Sequence, residues 1–272
     1  MVRKTIDILA LILVIIAISA FIIRYFFIKD QFDKSDIVIE GSFGPEGELI
    51  IKDSPSTSSP EIDSSLPFKS HETLNYNIFY KKMKIGKSTL TFNGKKLVNG
   101  KELLHFTFYT NTLYLKDREE IYAQKDSLLP VQIKRTIHKP GLPKSEITEN
   151  YDQKRGKLTI TKKGILGTKT TNINKDKPIQ NAILLNYVLR TKQMQPGEEI
   201  LINLPTLEMT VKFTGLKDVK LDDKTEKVYV FESVPDDKLI VWLENNESKT
   251  PIKIYNPGIF GYTMILDKDN AS

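Results

Sequence analysis

From residue 69 to residue 268 apolar and polar side chains alternate in short runs, and one segment breaks the rule: "DKPIQNAILLNYVLRTKQMQPGEE", Asp176 to Glu199. A period of two marks strands covered on one face, because successive side chains point to opposite sides. In "ETLNYNIFY", Leu74, Tyr76, Ile78 and Tyr80 share one face, with Asn75 and Asn77 on the other. Lys81–Lys84 reads as a turn, and Ile85–Phe92 returns antiparallel to the first run. "ELLHFTFYTNTLYL" sets Leu104, Phe106 and Phe108 on one side, and "PVQIKRTIH" sets Val131, Ile133 and Ile137 together. "EITENYDQKRGKLTITKK" is a hairpin turning near residues 154–156. "EMTVKFTGLKDV", "KVYVFESV", "KLIVWLE" and "PIKIYN" follow, separated by Gly, Asp, Asn or Pro. About ten strands at this spacing predict a large antiparallel sheet, which must curl, close or be covered.

The interrupting segment predicts a helix, with Asp176 as N-cap, Pro178 in the first turn and Pro196-Gly197 beyond its end. A buried strand is the alternative for so apolar a run; its length, its cap and its few β-branched residues favour the helix. At about 100° per residue, Ile183, Leu184, Leu185, Tyr187, Val188 and Leu189 spread round most of the circumference. A surface helix shows one apolar face. Here only Asn186 and Arg190 form a narrow polar stripe, so the helix is expected to be enclosed, with that stripe reaching water or an opening. The expected fold is mainly β, a large curved antiparallel sheet or incomplete barrel wrapped around one central helix.

The N-terminus bears on compartment. Ile8 to Ile28 is apolar except for Ser19 and Arg24, and about 20 such residues cross a hydrocarbon core of roughly 30 Å. A cleaved signal peptide is the competing reading, with "AISA" at Ala17–Ala20 as its cleavage site. The apolar run continues through "FIIRYFFI", an aromatic edge suited to a membrane interface, which favours an uncleaved anchor. The expected layout is a cytoplasmic N-terminus (residues 1–7), a single transmembrane signal anchor (8–28), a flexible Ser/Pro/Asp-rich tether (29–68), a β-rich exported domain (69–268) and a tail (269–272). The expected location is the bacterial inner membrane, with the bulk of the chain in the periplasm or outside.

Charge and composition narrow the chemistry. The formal net charge is +6. Residues 1–29 hold four basic side chains and one acidic, so the remainder carries +3 with its signs interspersed, too mild for a nucleic-acid partner. The absence of cysteine excludes a thiol nucleophile, disulfides, a Cys-ligated metal and a lipidated Cys.

Several segments resemble, in order and spacing, the bacterial domain-of-unknown-function family 3108 of exported envelope proteins. They are "LNYNIFYKKMKIGKSTLTF", "YLKDREEIYAQKDSLLPVQIKR", "ENYDQKRGKL", "DKPIQNAILLNYVLRTKQMQPGE" and "VWLENNESKTPIKI". The resemblance covers roughly residues 70–266. It implies a largely antiparallel β domain, similar in architecture to the lipoprotein-carrier folds in which an incomplete barrel holds helix against an apolar cavity. It brings no agreed catalytic residues.

The chain carries no phosphate-binding, dinucleotide or nucleophile-elbow motif. His71, His105 and His138 lack ligand spacing, and no metal or cofactor is expected. Asp117, Glu119 and Glu120 are the carboxylates most open to a hydrolytic reading, but Glu119 and Glu120 point to opposite faces of a strand. Asp222-Asp223 and Asp236-Asp237 fall in turns. Arg190 either caps its helix or pairs with a strand carboxylate, or meets an anionic headgroup at a cavity mouth. Trp242 packs in the core or on a sheet face, or lines a cavity. A non-catalytic binding module for a lipid or other apolar envelope ligand is the leading expectation, with Leu184, Tyr187, Arg190, Phe108 and Trp242 as its ligand-binding residues. A solid-core assembly protein with an envelope protein partner is the alternative, and a hydrolase is third.

Overall fold

The computed structural model describes residues 66–165, 167–221, 224–234, 239–256 and 261–268. The N-terminus, the anchor, the tail, the two Asp-Asp pairs and all of the tether but its last three residues lie outside them. Among the described residues fourteen strands form one sheet. The first half comprises β1 (Thr73–Tyr80), β2 (Met83–Val98), β3 (Lys101–Thr112), β4 (Lys116–Ala123), β5 (Pro130–His138), β6 (Ser145–Asp152), β7 (Lys157–Gly164) and β8 (Gly167–Asn174). Helix α1 (Ala182–Thr191) comes next. The second half comprises β9 (Glu199–Asn203), β10 (Glu208–Leu221), β11 (Lys224–Val234), β12 (Ile240–Glu244), β13 (Pro251–Asn256) and β14 (Tyr262–Leu266).

The spatial order runs β8 down to β1, then β14 down to β9, with every pair antiparallel. The sheet is therefore open, with β8 and β9 as its edges, and the chain passes from one edge to the other through α1. Strands outnumber the ten read from alternation because β4, β8, β9 and β14 hide it. The inward positions of β4 include Asp117 and Glu119, β8 is an exposed edge, and β9 and β14 have five residues each.

Along β1 the buried positions are Leu74, Tyr76 and Ile78, while Tyr80 is exposed at the strand's end. The same inward face continues through Leu90 and Phe92, Leu104 and Phe106, Ile121, Ile133 and Leu158. On the other flank it continues through Leu266, Met264, Ile254, Val241, Phe231 and Ile202. All of these join α1 in a single core, so the sheet curves around the helix. Phe68 belongs to that core too, edge-on to Phe92 at 5.0 Å and to Tyr187 at 4.7 Å. The folded domain thus begins ahead of Lys69, within the last positions assigned to the tether.

The helix starts later than its sequence suggests. Asn181, not Asp176, is the N-cap, its side chain accepting from the backbone N–H groups of Ile183 (2.8 Å) and Leu184 (3.1 Å). Ahead of it, two side-chain amides from outside the segment tie the backbone of residues 177–179 in a non-helical path. Gln153 donates to Ile179 O and accepts from Ile179 N–H, while Asn203 Nδ2 donates to the carbonyls of Lys177 and Pro178. Pro178 favours this outcome, because it disfavours helical geometry at the residue before it. Gly156 completes the junction. Its carbonyl accepts from Lys175 N–H (2.8 Å), its φ is +59°, and a Cβ there would lie 2.0 Å from Lys175 O. Replacing Asn181 by Ala removes the cap, and urea denaturation is expected to show a loss of about 1 kcal/mol with an unchanged m-value.

Candidate functional site

Antiparallel order gives the sheet two distinct ends. The chain comes in at the base, where residues 66–72 precede β1 and where the β6–β7 and β12–β13 connections also lie. The β1–β2, β3–β4, β5–β6 and β7–β8 turns lie at the opposite, tip end. Helix α1 fills the base of the hollow. Leu184 and Arg190 are 1% exposed and Tyr187 is 0% exposed, with the Tyr187 ring 4.6 Å from Phe106. The Tyr187 hydroxyl, enclosed among these rings, has no hydrogen-bond partner among the described residues, and burial pushes its pKa well above the ordinary tyrosine value.

Arg190 does not reach water or an opening as its stripe position suggested. Its Nη1 donates to Glu72 Oε2 (2.5 Å) and its Nη2 to Glu72 Oε1 (2.8 Å), a two-bond fork. Nε donates to Ser248 O (2.8 Å) and Nη2 also to Pro67 O (3.1 Å), while the guanidinium lies over the rings of Phe68 and Tyr187. The pairing expectation holds, with a partner just ahead of β1. The headgroup expectation does not, because every one of these bonds is internal. Asn186, the other stripe residue, is half-buried and donates to Ile183 O.

Trp242 is half-buried and packs against the core as a sheet-face residue. It points to the face of β12 opposite Val241 and Leu243, and the Lys253 ammonium sits 4.8 Å from its ring centroid. Phe108 does face inward, on β3 between Leu90 of β2 and Glu119 of β4. It marks a change in the inner surface. Below it, Leu104, Phe106, Ile121, Ile133 and Leu158 are fully buried. Phe108 itself and, above and beside it, Ile137, Ile147 and Ile160 are only half-buried.

A charged cluster interrupts that half-buried surface. Register places Glu119 opposite Arg135, and Arg135 forks onto the Asp117 carboxylate with Nε and Nη2 while standing 3.3 Å from Glu119. Glu149 lies on the same face, accepting a 2.5 Å bond from the Tyr151 hydroxyl. Burial, opposed by Arg135 and reinforced by the Asp117 charge, raises the Glu119 pKa from the ordinary 4.5 to about 7. Burial raises Glu149 in the same direction, against the Tyr151 bond and Arg135. Chemically the cluster offers one partly exposed guanidinium and acceptor oxygens beside apolar side chains. The i, i+2 spacing of Asp117 and Glu119 was readable as one strand face. The contributions of Arg135 and Glu149 were not, since they depend on strand register.

His105 stacks on Tyr122 at 4.8 Å on the opposite face of β3, whereas His71 and His138 sit at opposite ends of the sheet. Among the described residues no group of three His, Asp or Glu side chains is arranged to hold a metal.

Among the described residues, a single open antiparallel sheet curled round one short helix defines an incomplete β-barrel. The profile of the "Protein of unknown function (DUF3108)" family matches residues 75–267, and the chain belongs to that family. It is also similar to a crystal structure of a beta-barrel-like protein of domain of unknown function DUF1849 from Brucella abortus. That likeness has a TM-score of 0.45 and 12% identity, covering 72% of this chain and 94% of the other. No curated protein matches.

Proposed function

We propose that the domain is a non-catalytic binding module for a lipid or other apolar envelope ligand, held outside the inner membrane by the segment at residues 8–28. The observation that carries this reading is the contrast along the inner face of β3–β7, filled at the base by α1 and half-open toward the tips. The ligand position moves accordingly. Leu184, Tyr187 and Arg190 build the floor, while Phe108, Ile147 and Ile160 meet the apolar part of the ligand and Arg135 its polar end. Burying an acyl chain contributes about 0.8 kcal/mol per methylene, so a shallow site suffices.

Residues 66–272, purified without the anchor, are expected to take up a fluorescent fatty acid. Ile147→Glu should weaken uptake about tenfold or more, equivalent to 1.4 kcal/mol, while circular dichroism stays unchanged. A wild-type domain that yields no extractable ligand and takes up no probe would favour the second reading, an assembly protein with a solid core. The complete enclosure of Leu184, Tyr187 and Arg190 is what supports that alternative.

A further inference from the structure

Sequence order scatters the lysines, but topology gathers some of them. The four tip turns between β1 and β8 belong to eight consecutive strands of the sheet, so they stand side by side. At strand spacings near 4.8 Å, the row is about 30 Å long. Their sequences are "YKKMKIG" (residues 80–86), "TLYLK" (112–116), "HKPGLPKS" (138–145) and "KKGILGTK" (162–169). Together these hold nine lysines and no Asp or Glu. Each turn also exposes a large apolar side chain: Met83, the pair Leu113 and Tyr114, Leu142 and Ile165. The base differs. Among the described residues Leu97 is its one exposed large apolar side chain, and its turns mix both signs, as in "DQKRGK" and "NNESK".

Apolar tips with flanking lysines and no acids suit a surface that is greasy within and negative outside. An aqueous protein surface gains nothing from presenting Leu113 and Ile165, each 73% exposed, at the ends of hairpins. Lysine stems can lie along apolar surface while their ammonium groups stay among anionic headgroups. We infer that this row of hairpin tips docks on an anionic lipid bilayer, inserting Leu113, Tyr114, Leu142 and Ile165 shallowly while the surrounding lysines contact lipid phosphates. The docking stands independently of whether the inner face holds a ligand. If both hold, the half-open face of β3–β7 opens beside the membrane.

The chain has no cysteine, so a single introduced cysteine labels one position. Full-length Leu113→Cys, Ile165→Cys and the base control Leu97→Cys (71% exposed in the parent) would each carry a polarity-sensitive fluorophore. Each is reconstituted into vesicles of phosphatidylcholine with or without phosphatidylglycerol. The expected result is a blue shift, and quenching by brominated lipid, at both tip positions in the anionic vesicles only. Leu97→Cys stays water-like, and the tip signals fade as salt rises to about 1 M. Replacing Lys81, Lys82 and Lys84 by Glu abolishes the tip signals. Tip probes that stay water-like, that match the Leu97 control, or that respond equally in neutral vesicles would overturn the inference. So would tip probes that become shielded only when a soluble protein is added.

Discussion

Glu72→Gln is expected to lower stability by about 3–5 kcal/mol, because it leaves the Arg190 guanidinium charged and enclosed without its carboxylate. Arg190 has a fully buried side chain and Glu72 is only 14% exposed, so solvent screens this pair little. For a domain of this size the loss corresponds to a fall in Tm of roughly 10 °C or more. Arg190→Met alone should cost a comparable amount. The double variant Glu72→Leu, Arg190→Met should recover much of the loss, since a buried ion pair is dear to break and cheap to replace with packed apolar groups. Thermal and urea denaturation of all four proteins completes the cycle. A Glu72→Gln variant within about 1 kcal/mol of the parent would show that the pair is not the tie between α1 and the start of β1 described above.

The second large effect is a pH dependence centred on Glu119. Its pKa is raised from 4.5 to about 7, with burial the leading cause. Between those values the folded protein keeps a proton that the unfolded chain has released. Stability from this group is therefore fully present below pH 4.5 and is lost as pH rises through 7. At about 1.4 kcal/mol per unit, the parent should lose about 2 kcal/mol or more between pH 5 and pH 8 from this residue. Glu119→Gln should flatten that part of the profile, matching the parent near pH 5 and exceeding it at pH 8. Glu149, raised in the same direction, keeps a smaller slope of its own. Parallel profiles for parent and variant, measured by urea denaturation, would place the proton elsewhere.

What the chain made legible was periodic. Alternation in β1, β3 and β12 tells which side chains share a face, and by itself it puts Trp242 opposite Val241 and Leu243. The all-round apolarity of residues 183–189 predicts an enclosed helix; Leu184, Leu185, Tyr187 and Leu189 are buried as it requires, while Ile183 and Val188 are half-buried. What stayed hidden depended on partners distant in the chain. Asp176 and Asn181 are both good caps by residue type. Gln153 and Asn203, more than 20 residues away on either side, decide between them by tying up the backbone of residues 177–179 before the helix can start there. Arg190 looked amphipathic for the same reason, because Glu72 lies 118 residues earlier. The tip row escaped a reading of net charge because its nine lysines come from four separate turns.

The position of β1 has a mechanical consequence. It is an interior strand, laddered to β2 on one side and β14 on the other, and the chain enters it from the base. A pull on the chain ahead of Leu66 is therefore directed along the strand, loading both ladders in shear instead of peeling hydrogen bonds apart singly. Before that load reaches β1 it meets the Phe68 ring and the Glu72–Arg190 fork, which bind the leading residues to the helix. Resistance to such a pull is set by the unfolding rate under force. The domain is thus braced at the point where a pull from its N-terminal side would draw on it.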